Sequence, residues 1–204
     1  MKKGVDVITD PEKAKVLVDP MRREMMRLLA EHSRTERELA QTLGLSEPSV
    51  GHHLKILREH ALIRIGREEA EEHGILQKFY ETTSHTYLID SRKMPLEIER
   101  YFMAVNLERA RGIVAALNII RRRTEYVSAR ELEEFAKVLA STIVDVASRY
   151  TKRWEGGAEE IISRVYRAAL SDLQAKPTSL PETVRGLLLA GETAQRSTRS
   201  VSGW

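Results

Sequence analysis

One predicted helix carries polar and basic side chains along a single side. Over residues 47–60, Val50, Leu54 and Leu57 recur at helical spacing and mark the side that is buried. The opposite side holds Glu47, Pro48, Ser49, Gly51, His52, Lys55 and Arg58. A hydroxyl, an imidazole and two cations on one helix face suit hydrogen bonds to bases and ion pairs with phosphates; a solvated face is the alternative interpretation.

The individual side chains of this face suggest different contacts. Ser49 can hydrogen-bond a base edge or a phosphate, and His52 can donate to a purine acceptor. Gly51 allows a close approach of the backbone, and Lys55 suits a phosphate. Glu47 stabilises the positive end of the helix as a first-turn carboxylate, although it can also accept a hydrogen bond from cytosine.

Catalytic and metal chemistry find little support in the sequence. The chain has no cysteine, which excludes thiol nucleophiles, disulfides and thiolate metal sites. His52 and His53 point about 100° apart on a helix, so one ion cannot easily bind both. No nucleophile elbow, Walker loop, GxGxxG or HExxH motif occurs. We therefore expect no enzyme, no metal and no cofactor.

The elements that position the polar face form a helix-turn-helix unit. Thr35 and Glu38 make a capping box that opens a short helix, and Gly44 ends it. Ser46 caps the next helix after a single turn. Two helices joined by a tight, glycine-containing turn are typical of this unit, and the first turns of its second helix enter the major groove of DNA. Asp10-Pro11 and Asp19-Pro20 mark the starts of two preceding helices.

A hairpin follows the helix-turn-helix unit, which is the order of a winged helix. Residues 62–65 and 75–80 are predicted strands, separated by a charged segment over 67–74. Arg67 and Lys78 could hold flanking phosphates or the minor groove. The nearby acidic residues argue against deep insertion of the tip, and a solvated hairpin tip is an equal alternative: Glu68, Glu69, Glu71 and Glu72. Residues 4–9 and 85–89 are predicted to be extended.

Residues 19–89 resemble the winged-helix transcription regulators of the ArsR type. The resemblance is carried by DPMRR at 19–23, TERELAQTLGLS at 35–46 and SVGHHLKIL at 49–57, followed by the wing. His52 matches a frequent histidine of the family. The whole chain is more narrowly similar to archaeal ArsR-like regulators.

The resemblance implies a homodimer that binds double-stranded DNA at an inverted-repeat operator, usually as a repressor released by a ligand. Many family members bind metal through cysteines on the recognition helix, and others through histidines and carboxylates on the terminal helices. This chain has no cysteine and no histidine after His85, so both sites are missing. The resemblance therefore indicates a branch without metal, with a possible small-molecule effector of another kind.

The second half of the chain is predicted to be helical, over 95–123, 129–154, 158–175 and 181–190. An apolar stripe on the first of these helices is predicted to form a core or a dimer interface: Ile98, Phe102, Val105, Ile113, Leu117 and Ile120. Four apolar residues could instead line an effector cavity: Phe102, Leu117, Phe135 and Trp154.

Composition and charge bear on the fold class, the location and the partners of the protein. The fold class is mostly α with a small β-hairpin wing (α+β), with a winged helix over 1–91, a helical dimerisation or effector domain over 92–190 and a flexible tail over 191–204. No apolar segment reaches the ~20 residues of a membrane span, and no signal peptide is expected, so we predict a cytoplasmic protein. The net charge is +3, but residues 1–90 hold 14 Lys and Arg against 16 Asp and Glu. That acidic balance keeps a protein-interaction module as an alternative to the DNA-binding regulator.

Overall fold

The computed structural model describes residues 2–70, 76–152 and 154–189, and it confirms the predicted fold class of a mostly helical chain with a small hairpin. The first half contains β1 (Lys3–Ile8), α1 (Pro11–Val16), α2 (Pro20–Glu31), α3 (Glu36–Leu43), α4 (Glu47–Glu59), β2 (Ile63–Ala70), β3 (Leu76–Thr82) and β4 (Ser84–Ile89). The second half contains α5 (Leu96–Arg121), α6 (Ala129–Ala147), α7 (Ala158–Ala175) and α8 (Glu182–Leu189). No helix within the described ranges is long and apolar enough to cross a membrane.

The residues around Asp19-Pro20 join α1 to α2. The Asp19 carboxylate accepts a hydrogen bond from the Arg22 backbone N–H at 3.0 Å, so it caps α2. The Arg22 and Arg23 side chains reach back to the end of α1, where they donate to the carbonyls of Val16 and Leu17 at 2.6 and 2.9 Å. The motif thus satisfies backbone groups at two helix ends.

The helix-turn-helix unit forms as its sequence predicts. The Thr35 hydroxyl accepts from the Glu38 N–H, and the Glu38 carboxylate accepts from the Thr35 N–H at 2.8 Å. Gly44 has a φ of 67°, the left-handed conformation that ends a helix most cheaply at glycine. The apolar sides of α2, α3 and α4 meet in one core, whose fully buried members include Met25, Leu29, Leu39, Leu54, Leu57 and Leu62.

The wing is longer than the sequence predicted. We expected a charged loop from residue 67, but β2 continues to Ala70, and Glu68 lies opposite Lys78 in the antiparallel register. Backbone pairing and opposite charges across the two strands hold these polar residues in an extended ribbon. Glu71, Glu72 and His73 lie outside the described residues.

The two extended segments predicted at residues 4–9 and 85–89 pair with each other. β1 lies parallel to β4, with Val5 opposite Thr86 and Ile8 opposite Ile89. Because successive side chains of a strand point to opposite faces, this ribbon has two apolar sides. Val5 and Leu88 are buried in the helical core of the second half, whereas Ile8 is buried in the winged-helix core. The ribbon therefore packs between the two halves.

The helical half encloses its own core. Phe135, Leu139 and Ile143 of α6 are buried against α7 and α8. Ser128 and Glu131 form a capping box at the start of α6, and Glu131 also accepts a hydrogen bond from the Thr183 hydroxyl at 2.7 Å. That bond ties α8 to the start of α6. The predicted tail over 191–204 lies outside the described residues.

The prediction that α6 extends to residue 154 is wrong. The helix ends at Ala147 and is followed by a short 3₁₀ turn over Ser148–Tyr150. Beyond it, the Lys152 carbonyl accepts a hydrogen bond from the Gly4 N–H at 2.9 Å. A Cβ at Gly4 would lie 2.7 Å from the Tyr150 carbonyl oxygen, so only glycine permits this approach. The segment after α6 is therefore non-helical where it hydrogen-bonds to the start of β1.

A charged cluster fixes the connection between the halves. Arg92 follows β4 and binds Asp90 at 2.7 Å and Asp145 of α6 at 2.8 Å. The pKa of Asp90 lies below its ordinary value, because its carboxylate accepts hydrogen bonds from Arg92. The start of α5 is thereby held beside α6.

Candidate nucleic-acid interface

The exposed side of α4 carries the residues that the sequence assigns to DNA contact. Val50, Leu54 and Leu57 are buried beneath the helix, as predicted. Ser49 and Gly51 are half-buried. The other five assigned residues of the helix are exposed: Glu47, Pro48, His52, Lys55 and Arg58. The face is therefore accessible to a ligand as large as DNA.

The first turn of α4 is organised by its cap. The Ser46 hydroxyl accepts a hydrogen bond from the Ser49 N–H at 3.4 Å, and Pro48 follows in the first turn, where a missing N–H costs nothing. The positive end of the helix dipole lies here and favours a phosphate or the Glu47 carboxylate.

Gly51 faces the neighbouring helix. A Cβ built on it would lie 2.6 Å from an oxygen of the Glu36 carboxylate on α3. The expectation that Gly51 allows a close approach of the backbone to DNA stays a prediction; in the structure, the Glu36 carboxylate lies beside this glycine. The glycine thus leaves room for a carboxylate between the two helices of the unit.

A polar hollow of about 450 Å³ lies between this carboxylate and the wing. Glu47 and Lys78, which are far apart in the sequence, both line it. Burial and repulsion by Glu47 raise the pKa of Glu36 above its ordinary value. Sequence reasoning missed Arg37 and Gln77, which also line the hollow. The sequence gives little indication of these two residues, because only the folded hairpin brings Gln77 beside α3.

The basic residues of the interface differ in how firmly they are held. Lys55 lies 4.0 Å from Glu59 with both side chains largely exposed, an ion pair worth little. Arg58 forms no ion pair with any described residue. On the wing, the Arg67 guanidinium stacks 4.0 Å from the centre of the Phe79 ring and pairs with Glu69 at 3.2 Å. Lys55 and Arg58 are therefore held less firmly than Arg67.

Metal binding finds no support in the described part of the chain. No group of three His, Cys, Asp or Glu side chains there is close enough to hold an ion. His52 and His53 have ring centres 6.0 Å apart at a steep angle.

The family comparison covers this part of the molecule. Residues 19–64 match the family model described as "Bacterial regulatory protein, arsR family". The chain contains an ArsR-family helix-turn-helix domain. The matched residues run from the cap of α2 through α3 and α4 into β2, and with the hairpin they make a winged helix. The family is one of DNA-binding transcription regulators.

Two solved structures are similar to part of the chain. One is the NMR structure of the homodimeric winged helix-turn-helix DNA-binding domain of Mb0332 from Mycobacterium bovis, described as a possible ArsR-family transcriptional regulator. Its sequence identity to this chain is 17%, the match covers 57% of this chain and 85% of the other, and the TM-score is 0.32. The other is Rv0081 from M. tuberculosis, with 22% identity, coverage of 54% and 89%, and a TM-score of 0.30. No curated protein sequence matches the chain.

The six residues of the predicted dimer stripe lie in different surroundings along α5. Ile98 and Phe102 pack against the winged-helix core, and Ile113 and Leu117 pack against the helical core. Val105 and Ile120 are exposed. Two further apolar residues that the stripe omitted lie close by, Ile119 at the end of α5 and Tyr126 on the segment that follows it, and they are 77% and 84% exposed.

Proposed function

We propose that the protein is a homodimeric, sequence-specific regulator that represses transcription by occupying an inverted-repeat operator. The observation that carries the proposal is the exposed polar face of α4 on an ArsR-family domain with a well-packed core. The core fixes the helix, and the first turns of α4 are free to enter a major groove.

Affinity and specificity are assigned to different residues of the interface. Ser49 and His52 lie in the first two turns and can hydrogen-bond base edges. Lys55, Arg58 and the wing residues Arg67 and Lys78 can neutralise phosphates, which supplies affinity and salt dependence but no sequence choice. Glu47 and Glu36 oppose phosphates, so the approach of DNA is restricted to the basic part of the face.

The dimer is proposed to form through the end of α5 and the turn that follows it. Ile119, Ile120 and Tyr126 are apolar and exposed there, at 77%, 71% and 84%. Large apolar side chains gathered at one end of a helix are typical of association surfaces. A two-fold axis at this end would present two copies of α4 to DNA, with half-sites spaced by about one helical turn, ~34–36 Å, or a multiple of it.

A selection experiment tests the proposal. The purified full chain is incubated with a random DNA library at about 150 mM salt, where the screening length is ~8 Å and only close charge contacts persist. We expect enrichment of one palindromic motif. Ile120→Asp serves as the dimer variant, and Arg130→Gln, an exposed change at the start of α6, is its control.

The outcomes are distinct. A palindrome with the native chain, lost with Ile120→Asp but kept with the control, supports both the regulator and the dimer. Enrichment of a single half-site contradicts the proposed dimer and supports DNA recognition by the winged helix. Sequence-blind binding or none overturns the proposal and favours the winged helix as a protein-interaction module, to which the acidic balance of residues 1–90 would then be relevant.

A further inference from the structure

A cleft of about 510 Å³ separates the winged helix from the helical half. Its walls come from α2 on one side and from α5 and α6 on the other, and β4 forms its floor. Of the four residues predicted to line an effector cavity, Phe102 alone lines this cleft, and Phe135 is fully buried in the helical core. The cleft thus lies between the two halves and not inside the helical one.

The cationic side chains of the cleft are all arginines. Arg23, Arg27 and Arg109 line it, and no carboxylate does so among the described residues. His85 also lines it, but burial and the nearby Lys2 lower its pKa and favour the neutral imidazole. Arg27 is neutralised on its outer side by Glu24 and Glu31, at 2.7 and 2.5 Å. Arg23 and Arg109 form no ion pair within the described ranges, so the cleft keeps uncompensated positive charge.

These two arginines are held in place by neutral partners. Arg23 uses Nη1 to donate to the carbonyls of Leu17 and Val18, at 2.9 and 2.7 Å, and its guanidinium lies 5.2 Å from the centre of the Tyr101 ring. Arg109 donates to the Asn106 side-chain oxygen at 3.3 Å. A guanidinium has five N–H donors, so both side chains keep donors for an anion.

The floor of the cleft offers further polar groups. Five consecutive residues of β4, His85 to Ile89, line it. Because their side chains alternate between two faces, the cleft must run along the edge of β4 that β1 leaves open. A strand edge presents unpaired backbone donors and acceptors. The Thr86 hydroxyl on this strand is buried and has no hydrogen-bond partner among the described residues.

Most of the remaining lining is apolar, from Met26 of α2 to Phe102 and Val105 of α5 and Ile143 and Val144 of α6. A volume of this size lies within the range that accommodates a drug-sized ligand. Apolar walls beside a positioned guanidinium group, that of Arg109, match a molecule that has a carboxylate at one end and an apolar body.

We propose that the junction cleft binds an amphipathic carboxylate, with Arg109 on the carboxylate and Phe102, Val105 and Ile143 around the apolar body. The occupant contacts α2 and α5 together, so it fixes the position of the winged helix relative to the helical half. If the protein is the DNA-binding regulator proposed above, occupancy changes its affinity for DNA, since two DNA-binding domains bind one operator only at a fixed spacing.

Calorimetric titration of the full chain tests the binding site directly. Sodium dodecanoate, below its micelle concentration, is the probe, and dodecanol is its uncharged match. We expect saturable binding of dodecanoate and at least roughly tenfold weaker binding of dodecanol, the effect of losing hydrogen bonds to a charged group.

Three variants locate the probe. Arg109→Gln should weaken dodecanoate binding roughly tenfold or more, whereas Arg111→Gln, two residues along the same helix and exposed, should leave it unchanged. Val105→Trp should block the mouth of the cleft. Circular dichroism of each variant shows that it is folded, so a loss of binding can be assigned to the site.

The proposal is overturned by an absence of dodecanoate binding, by equal binding of dodecanol, or by equal effects of Arg109→Gln and Arg111→Gln. The titration and the DNA selection test separate proposals. If dodecanoate binds but the selection enriches no motif, the binding site is supported and the proposed regulator is contradicted. With both present, saturating dodecanoate should change the operator affinity, and operator DNA should change the dodecanoate affinity by the same factor.

Discussion

Basic side chains stand in two different settings in this molecule, the exposed face of α4 and the junction cleft. On α4, Lys55 and Arg58 extend into water and have weak or no ion pairs with described residues. In the cleft, Arg23 and Arg109 are half-buried and fixed by carbonyl, amide and aromatic partners. Mobile cations suit a long polyanion that is bound at many points, whereas fixed guanidinium groups suit one small anion of definite shape.

The two settings also differ in how they are encoded. The α4 face comes from one contiguous segment, so periodicity and a family model both find it. The cleft is built from five separate segments, between Leu17 and Val144, and no local spacing connects them. Recognition by a contiguous motif therefore detects the first surface and not the second.

The largest expected effects test whether the two halves are one cooperative unit. Phe135→Ala in the helical core should cost about 3–5 kcal/mol and Leu54→Ala in the winged-helix core about 2–5 kcal/mol, because each leaves a cavity. Since the β1–β4 ribbon belongs to both cores, each change should lower the midpoint of the same single transition in urea, followed by fluorescence and circular dichroism. Two separate transitions, each moved by one variant alone, would show that the halves unfold independently.

The next effect separates the DNA face from the cleft. The double change Ser49→Ala and His52→Ala should reduce discrimination between the selected operator and random DNA by about 1–3 kcal/mol for each base pair that is no longer recognised. Dodecanoate affinity should not change, because neither residue lines the cleft. Competition binding at fixed salt measures the discrimination. Unchanged specificity would remove these two residues from base recognition.

A pH effect distinguishes the capping boxes of the two halves. Hydrogen bonds from Thr183 and Ser128 lower the pKa of Glu131 to about 2. A carboxyl whose pKa is lowered by folding stabilises the native state above its unfolded pKa of ~4.3, and this stabilisation is lost as the pH falls towards 2. Glu131→Gln should therefore reduce the melting temperature at pH 7 and flatten its decline between about pH 4.5 and 2.

The matched control for this pH effect is Glu38→Gln, in the capping box of α3, which has no third partner like Thr183. Glutamine can occupy this position of a capping box, so the control should change stability less. Equal pH profiles for Glu131→Gln and the native chain would contradict the assignment.

The smallest effect concerns a single phosphate contact. Lys55→Ala should weaken binding to operator and random DNA alike and reduce the slope of log K against log salt by about 1. Lys137→Ala, on an exposed face of α6 where Lys137 pairs with Glu133, should leave the slope unchanged. A change in specificity rather than in slope would place Lys55 against a base.

The sequence predicted those parts of the structure that depend on neighbours in the chain. Thr35, Gly44 and Ser128 act on residues three or four positions away, so their caps could be located from spacing alone. The position of the Glu36 carboxylate beside Gly51, the end of α6 and the continuation of β2 to Ala70 could not be predicted in this way, because each depends on another segment of the chain. The same holds for Arg109 in the cleft, which the helical spacing of α5 does not distinguish from Arg111.

The parallel pairing of β1 with β4 has a consequence for folding order. The two strands are separated by about eighty residues of chain, and contacts of such long sequence separation form slowly. During synthesis, β1 emerges first and finds its partner only after the wing has been made. The helix-turn-helix unit, whose contacts are local, is expected to consolidate earlier. The first strand of the chain is thus among the last to be ordered, and its docking completes both cores at once.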